Sequence, residues 1–505
     1  MRRDPERVPV VLSAGQALDR SGGPGPLELA ERAARAALEG SGDLARRIEQ
    51  VSVVNVLSRR AGPAPASELA ARLGLAPART ETTVVGGNSP QALVNRAAAE
   101  VAAGRLGATL IAGAEAVRAT RLAPQAGPSP APAGADAVVG TERQDLSGEE
   151  RSAGLVVPVF VYPLFESVLA ARAGRTNAEQ RGEIGRLLEG FSAVAAGHPY
   201  AWFRQPLTAG EIATPSASNR LVAEPYTKAM TAFLGSAQGS ALVVTSLALA
   251  RALGREDEAV FVWAGADAEE VWYPIARPDL AAAPALGSAF RDVLSAAGVG
   301  PDDLSRLDLY SCFPSAVAVA AAELGVALDD RRRLTVTGGL PYFGGPGSNY
   351  VGHSIATMCE LLRRDGEGLG LVTGVGWYLT KHSVGLYGAA PPPPSGFSAP
   401  EPAAPGPEVP VTSGLVEPVR GLIEASTVLY DRGAVPLAAP ALVRLPDGSR
   451  LAAAVLPEAL AEVAEAGADR PLVGLEVELA PGRPPTYRLG AGAASPILST
   501  AKEGP

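Results

Sequence analysis

Short apolar runs alternate with segments of helical spacing along the first 112 residues, and this alternation constrains the fold more than any other feature of the chain. The pattern predicts strands at 8–13, 51–57, 82–85 and 108–112, with helices at 26–39 and 89–103. A succession of strand, helix and strand is typical of α/β proteins, in which a sheet packs between helices. We therefore predict an α/β fold for the main part of the chain.

A weak internal repeat adds a second constraint. Residues 82–87 (Thr-Thr-Val-Val-Gly-Gly) are followed by a helix, a turn and an apolar strand that ends at residue 113. Residues 334–339 (Leu-Thr-Val-Thr-Gly-Gly) predict a second strand, at 334–337, that ends at two glycines and is followed by the same order of elements, ending at residue 374. Two copies of one pattern predict a duplicated α/β half-domain.

The chain divides into four predicted parts. They are a first half at 1–265 that includes a loop-rich, aromatic-containing domain at 118–236, a second half at 266–388, a proline-rich linker at 389–410 and a C-terminal domain at 411–505. Long insertions usually cover a substrate site, and crowded prolines prevent regular structure. The last part has short alternating runs and turn signals, which predict a small all-β barrel.

Composition excludes several classes of function. The 505 residues are 47% hydrophobic and carry a net charge of −9, so we expect no nucleic-acid partner. Two cysteines cannot form a disulfide framework, which favours a cytoplasmic protein. No apolar run reaches the ~18 residues of a membrane span, and no cysteine–histidine cluster has metal-ligand spacing. We expect neither a membrane span nor a metal.

The turn after the third predicted strand is the first candidate site. Val85 is followed by Gly86, Gly87, Asn88 and Ser89, and a helix begins there. Helix N-termini offer unpaired N–H groups that suit an oxyanion or a phosphate. Ser89 is either a simple helix cap or a nucleophile.

Two later segments also end strands or begin helices. Tyr310 closes an apolar strand, where its phenol is either an ordinary buried group or a donor to a carbonyl or enolate oxygen. The glycine-rich loop at 338–352 leads to His353, which is either a base or a structural hydrogen-bonding group. Cys359 lies on the apolar face of the following helix and is expected in the core.

Five segments in register resemble a known family. They are His-Pro-Tyr-Ala-Trp-Phe-Arg at 198–204, Val-Ala-Glu-Pro-Tyr-Thr-Lys at 222–228, Gly-Ser-Ala-Gln-Gly-Ser-Ala at 235–241, Tyr-Ser-Cys-Phe at 310–313 and Gly-His at 352–353. They are similar to Asn-Pro-Tyr-Ala-x-Phe-Arg, Val-Ala-Asp-Pro-Leu-Thr, Ser-Asp-Gly-Ala-Ala, His-Asp-Cys-Phe and Gly-His-Pro of sterol-carrier-protein-type thiolases. The resemblance spans nearly all of residues 5–388, and the tail resembles OB-like domains that accompany some thiolase-like proteins.

This resemblance implies a duplicated thiolase fold of five α/β/α/β/α layers, with a coenzyme A thioester as substrate or ligand and no other cofactor. In the family, one cysteine accepts the acyl group, the Gly-His-Pro histidine activates it, and a second cysteine moves the α-proton. The matching positions here are Gly87 or Gly86 for the first cysteine, His353 for the histidine, Val372 or Thr373 for the second cysteine and Tyr310 for the group that holds the enolate oxygen. Gly87 and Gly374 then form the oxyanion or thioester site.

The missing cysteines shape the functional hypotheses. Without a thiolate the covalent step has no nucleophile, so conventional thiolase turnover is not expected. The leading hypothesis is an acyl-CoA-binding homologue of acetyl-CoA acetyltransferases that makes or breaks C–C bonds without a covalent intermediate, in a retro-aldol manner at Tyr310 and His353. One alternative is an inactive acyl-CoA-binding scaffold that docks a protein partner through its C-terminal domain. Another makes Ser89 the nucleophile and His353 its base. The family implies a dimer, and the appended domain leaves a monomer open.

Overall fold

The computed structural model describes residues 5–40, 43–57, 62, 64–117, 136–393, 397–400 and 404–490. Part of the predicted loop domain, at 118–135, lies outside the described residues, and so does the end of the C-terminal domain at 491–505.

The first part of the chain alternates strands and helices, as predicted. Its elements are β1 (Pro9–Leu18), α1 (Pro26–Leu38), β2 (Gln50–Val53), α2 (Pro65–Leu73), β3 (Arg79–Thr83), α3 (Ser89–Ala102), β4 (Ala108–Ala116) and β5 (Ala137–Val139). Helices α1 and α2 both begin at a proline. Proline suits this position because the N–H that it lacks would be unpaired there anyway.

The segment expected to be loop-rich contains two long helices. Its elements are α4 (Gly148–Ser152), α5 (Pro158–Arg172), α6 (Asn177–Gly197), α7 (Ala209–Ala213), β6 (Leu221–Ala223) and β7 (Tyr226–Thr227). Thr176 and Glu179 start α6 with a capping box, in which each side chain accepts a hydrogen bond from the other's backbone N–H. Ile184, Leu188 and Phe191 give α6 its buried face.

Strands and helices also alternate in the remaining part of the body. Its elements are β8 (Ala237–Ser246), α8 (Leu247–Ala252), β9 (Val260–Glu269), α9 (Pro284–Ala297), β10 (Arg306–Asp308), α10 (Pro314–Leu324), α11 (Gly339–Tyr342), α12 (Tyr350–Asp365), β11 (Leu369–Gly376) and β12 (Lys381–Gly388).

The strand predicted at 334–337 is wrong. Arg333 and Leu334 have φ of 62° and 56°, a left-handed backbone that cannot continue a strand. Instead of pairing with a neighbouring strand, this segment binds the buried carboxylate of Asp308. That carboxylate accepts hydrogen bonds from the Val336 N–H at 2.9 Å and from the Thr335 hydroxyl at 3.1 Å.

One ten-stranded sheet carries the duplication, in the order β10-β11-β12-β9-β1-β8-β4-β2-β3-β5. The parallel pair β2–β4 continues antiparallel through β8 to β1, and the parallel pair β10–β11 continues antiparallel through β12 to β9. Helices α3 and α12 contact each other and strands of both halves, while α1 and α9 cover outer faces. The predicted duplicated α/β architecture is confirmed.

The C-terminal domain is a closed barrel, as predicted. Its elements are β13 (Val419–Ser426), β14 (Leu429–Tyr430), β15 (Pro436–Ala438), β16 (Ala441–Arg444), β17 (Arg450–Val455), α13 (Leu460–Asp469), β18 (Glu476–Ala480) and β19 (Thr486–Leu489). The barrel order is β13-β16-β17-β19-β18, which fits an OB-like domain. β16 and β17 pair as an antiparallel hairpin.

The barrel domain is joined to the body by a shared sheet. β14 and β15 lie outside the barrel and pair with β6 and β7 in the order β15-β14-β6-β7. The Glu224 N–H donates to the Val428 carbonyl at 2.9 Å, and the Thr427 hydroxyl donates to the Glu224 carbonyl at 2.9 Å. On another side, Arg450 Nη1 donates to the Ile275 carbonyl at 3.0 Å. The barrel therefore has a fixed position on the segment inserted before β8.

Candidate ligand-binding cavity

A cavity of about 1540 Å³ opens where the body, the inserted segment and the C-terminal domain meet. Its buried lining, here called the floor, includes Gly86, Tyr162, Tyr310, Cys312, Phe313, Leu340, Tyr342, Ser348 and Val375. Its exposed lining, here called the mouth, includes Val157, Phe203, Arg204, Lys228, Leu234 and Arg432. The floor is thus mainly apolar and aromatic, and the mouth mixes cations with apolar groups.

Gly87 and Tyr310 meet at the cavity, although they are 223 positions apart in the sequence. A Cβ atom added at Gly87 would overlap the Tyr310 hydroxyl and would lie 2.5 Å from the Val375 carbonyl oxygen. No side chain therefore fits at residue 87 while Tyr310 keeps its position. The phenol fills the space that a side chain at residue 87 would need.

The Tyr310 hydroxyl is available to a ligand. Tyr310 as a whole is 6% exposed, and its ring packs edge-on against the Tyr350 ring with the two centroids 5.7 Å apart. Among the described residues, none forms a hydrogen bond with this hydroxyl. Burial raises the pKa of Tyr310 well above its usual value, and Cys312 and Tyr350 add to the effect. The phenol therefore stays protonated and acts as a hydrogen-bond donor.

The turn that carries Gly87 is held from behind. The Gly86 N–H donates to the Ser348 hydroxyl at 3.3 Å, and Lys381 Nζ donates to the Val85 carbonyl at 2.6 Å. The Gly87 N–H has no acceptor in the described part of the chain. It lies just before α3, in the region where the N–H groups of a helix start lack intrahelical acceptors.

Ser89 and Gly374 do not reach the cavity lining. Asn88, rather than Ser89, occupies the cap position of α3, and the Ser89 hydroxyl donates back to the Val84 carbonyl at 3.4 Å. Gly374 packs against the turn, since an added Cβ would lie 2.7 Å from the Asn88 Cα. Gly374 thus allows close approach of β11 to the turn, and its neighbour Val375 faces the cavity.

The structure places His353 inside α12 and outside the cavity lining that contains Tyr310. Its Nδ1 lies 2.7 Å from Gln16 Oε1, and no described residue pairs with its Nε2. Burial, with a smaller effect of His198, lowers the pKa of His353 to about 3. Among the described residues this neutral, enclosed imidazole contacts Gln16 and is not part of the cavity lining, which contains Gly87 and Tyr310.

Gly344-Gly345-Pro346, eight residues before His353, matches the Gly-His-Pro pattern at its first and third residues, whereas Gly352-His353 matches it at the first two. The next two residues, Gly347 and Ser348, line the cavity. The glycine-rich loop before His353 therefore reaches the cavity lining, and His353 does not.

Neither cysteine offers a thiolate. Cys312 lies in the floor and Cys359 lies inside α12, both buried. Burial raises the pKa of each thiol to about 12, and reactive cysteines need the opposite shift. Cys359 is a core residue, as expected.

The mouth carries cations that the described carboxylates do not neutralise. Arg204, Lys228 and Arg432 are exposed, and no described carboxylate pairs with any of them. Glu211 also lines the mouth, but its carboxylate accepts hydrogen bonds from the N–H and hydroxyl of Thr208. Such a site favours an anionic group at the mouth. Arg432 belongs to the C-terminal domain and had no signal in the sequence.

The described residues include neither a metal-binding cluster nor a membrane-spanning helix. No three or more His, Cys, Asp or Glu side chains within the described ranges are grouped so that they could hold a metal ion. In the same part of the chain, no helix combines the length and the apolar character that crossing a membrane requires.

The structure is thus a duplicated α/β protein whose cavity floor, as far as it is described, holds no thiol with a lowered pKa. No protein-family model matches the chain, and no curated protein matches it either. Among solved structures, it is similar to the crystal structure of a monomeric SCP2-thiolase like protein type 1 (STLP1) from Mycobacterium smegmatis. The TM-score is 0.82 and the identity 30%, over 97% of this chain and 100% of that chain. The chain therefore belongs to the SCP2-thiolase-like proteins.

A second solved structure shares the fold at lower identity. The Ltp2-ChsH2(DUF35) aldolase is 19% identical with a TM-score of 0.58, over 76% of this chain and 98% of that chain. At this identity the likeness concerns the fold alone.

Proposed function

We propose that this protein binds a coenzyme A thioester, with the acyl group against the floor and the phosphates at the mouth. The observation that carries the proposal is the Tyr310 hydroxyl at an apolar floor, which has no hydrogen-bond partner among the described residues and fills the side-chain space of Gly87. In our proposal a thioester oxygen accepts one hydrogen bond from this phenol and a second from the Gly87 N–H. The cations Arg204, Lys228 and Arg432 suit the nucleotide phosphates.

Covalent acyl transfer is not part of the proposal. Gly87 has no side chain, Ser89 donates to Val84, and both thiols have a raised pKa. What the site offers instead is stabilisation of negative charge on an oxygen, because a protonated phenol in an apolar environment is a strong donor to an enolate. Chemistry at such a site proceeds without an acyl-enzyme.

Retro-aldol cleavage of a 3-hydroxyacyl thioester is the reaction that this arrangement suits. The Cα–Cβ bond breaks, the β-hydroxyl loses its proton to water in the cavity and becomes a carbonyl, and the bond electrons pass to the thioester enolate. The enolate then takes a proton at Cα. Tyr310 donates to the enolate oxygen throughout, and His353, which lies outside the cavity, has no part in the reaction.

Calorimetry with acetyl-CoA and longer acyl-CoAs, beside a cleavage assay with 3-hydroxyacyl-CoAs, tests the proposal. Tyr310→Phe is expected to lower turnover by at least roughly tenfold, since charge-stabilising donors usually contribute more than this. Tyr487→Phe removes a hydroxyl from a buried tyrosine of the barrel and serves as the matched control. Absence of binding by any acyl-CoA would reject the proposal.

A second candidate is acyl-CoA binding without turnover. Within the described floor, the titratable groups are tyrosines and Cys312, and burial raises the pKa of each, so none accepts a proton near neutral pH. Binding across the acyl series with no cleavage of any 3-hydroxyacyl-CoA would establish this scaffold role.

A further inference from the structure

The C-terminal domain contributes an unpaired cation to the cavity mouth. Arg432 lies in the turn between β14 and β15 and lines the same cavity as Lys228 of the inserted segment. It is exposed, and no described residue forms an ion pair with it. Arg432 and Lys228 give the cavity mouth positive charge, and positive charge at the mouth favours an anionic group of a ligand.

The neighbouring carboxylate, Asp431, forms no ion pair with Arg432 and contacts the backbone of its own turn instead. Asp431 Oδ1 accepts the Gly433 N–H at 2.7 Å and the Val435 N–H at 2.8 Å, which closes the turn. Asp431 thus stabilises the turn through its backbone contacts, and Arg432 lines the mouth.

The turn is also fixed in place. Arg220 Nη1 donates to the Leu221 carbonyl at 2.9 Å and to the Asp431 carbonyl at 3.3 Å, so the inserted segment holds the turn directly. The pairing of β14 with β6 sets the position of the whole hairpin. Arg432 is therefore presented from a rigid support rather than from a mobile loop.

We infer that the OB-like domain is part of the ligand site and that Arg432 binds a phosphate of the coenzyme A moiety. This inference rests on the proposed function, because it names the residue that would recognise the nucleotide part of that ligand. It gives the C-terminal domain a direct role in substrate selection, distinct from the docking of a protein partner.

Calorimetry on the full-length protein tests the inference with two ligands that share an acyl group, an acyl-CoA and the acyl-pantetheine thioester that lacks the phosphates. Arg432→Gln is expected to weaken acyl-CoA binding roughly tenfold, as loss of one charge-assisted contact does. Arg432→Glu is expected to weaken it further, and binding of the acyl-pantetheine should not change. The salt dependence of acyl-CoA affinity should also fall in Arg432→Gln.

Arg420→Gln is the matched control, since Arg420 is an exposed arginine of the same barrel that does not line the cavity. If wild-type protein binds acyl-CoA and both Arg432 variants bind it within twofold of wild type, the inference is overturned and the proposed function stands. Equal weakening of both ligands would also overturn it, because that result indicates a change in the fold. Absence of acyl-CoA binding by wild type would overturn the proposed function and the inference together.

Discussion

At the scale of single residues, the contact between Gly87 and Tyr310 determines what the cavity can do. Gly87→Cys is expected to destabilise the protein by about 1–3 kcal/mol, because the new side chain overlaps the phenol and forces a shift. In a double-mutant cycle, Tyr310→Ala should recover part of this loss, because the close contact with the Val375 carbonyl remains; the coupling energy should be about 0.5–2 kcal/mol, measured by chemical denaturation.

Gly190→Cys is the control for this cycle, since nothing lies within 4 Å of an added Cβ at that position. It should leave stability nearly unchanged. Additive effects of Gly87→Cys and Tyr310→Ala would show that the two positions do not compete for space.

His353 gives a prediction about pH. Its folded pKa of about 3 lies below the usual unfolded value of about 6.5, so only the unfolded state takes up a proton as pH falls below 6.5. Wild type therefore loses up to about 1.4 kcal/mol per pH unit from this group below pH 6.5. His353→Gln removes that dependence, and its stability deficit at pH 7 should shrink at pH 6 and pH 5 in denaturation experiments.

Cys359→Ala in the same helix is the matched variant, because a thiol with a pKa of about 12 does not titrate in this range. Its deficit should be constant from pH 7 to pH 5. A His353→Gln deficit that stays constant as well would contradict the buried neutral histidine.

Sequence reasoning reached part of this site. The resemblance alone brought Gly87 and Tyr310 into one site, since no local signal joins residues that are 223 positions apart. His353 was expected in the site as the histidine of the Gly-His pair, and the structure places it outside the cavity lining. Burial encloses the Ser89 hydroxyl and lowers the pKa of His353. Burial follows from tertiary packing, which no short sequence motif encodes.

At the scale of elements, helix starts were the most predictable features. Proline acts locally at the first turn of a helix, so the first residues of α1 and α3 were predicted correctly, although Asn88 rather than Ser89 occupies the cap position of α3. The inserted segment was mistaken for loops because α5 has apolar residues on all sides and contains Pro163, which removes the periodic signal. The false strand at 334–337 depended on a left-handed backbone at Leu334, which the residue type does not indicate.

The capping box of α6 leads to a prediction at this scale. Thr176→Ala should lower the free energy of unfolding by about 1 kcal/mol, because the Glu179 N–H at the helix start loses its acceptor. Thr176→Ser keeps the hydroxyl and should retain most of the stability. Thermal and urea denaturation measure both variants, and equal stability of Thr176→Ala and wild type would show that water replaces the cap.

At the scale of the whole molecule, Glu224 joins the inserted segment to the barrel domain. Burial raises its pKa to about 7 although Arg181 Nη1 lies 2.8 Å from its carboxylate. The folded state therefore binds a proton that the unfolded state releases above about pH 4.5. From this group, stability falls as pH rises from 4.5 to 7.

Glu224→Gln should remove this contribution. Its stability relative to wild type is expected to increase by up to about 3 kcal/mol between pH 4.5 and pH 8, measured by urea denaturation at several pH values. Arg181 remains partly exposed to water in the variant, which limits the cost of its lost partner. A difference between the two proteins that does not change with pH would contradict the raised pKa.

The arrangement of the two domains was the least predictable feature. The proline-rich stretch at 389–410 indicated a boundary, and the barrel followed from turn signals and alternation. The pairing of β14 with β6 joins residues 206 positions apart, such as Leu429 and Ala223, and no local pattern encodes it. Arg432 reaches the mouth only through that pairing.

The shared sheet sets an order of events during synthesis. Strand β6 leaves the ribosome about 200 residues before its neighbour β14 exists, so a nascent body carries an open strand edge until the last portion of the polypeptide emerges. Open edges invite pairing with other chains. A fragment that stops at residue 388 keeps this edge permanently, and the barrel domain is then the chain's own protection against self-association.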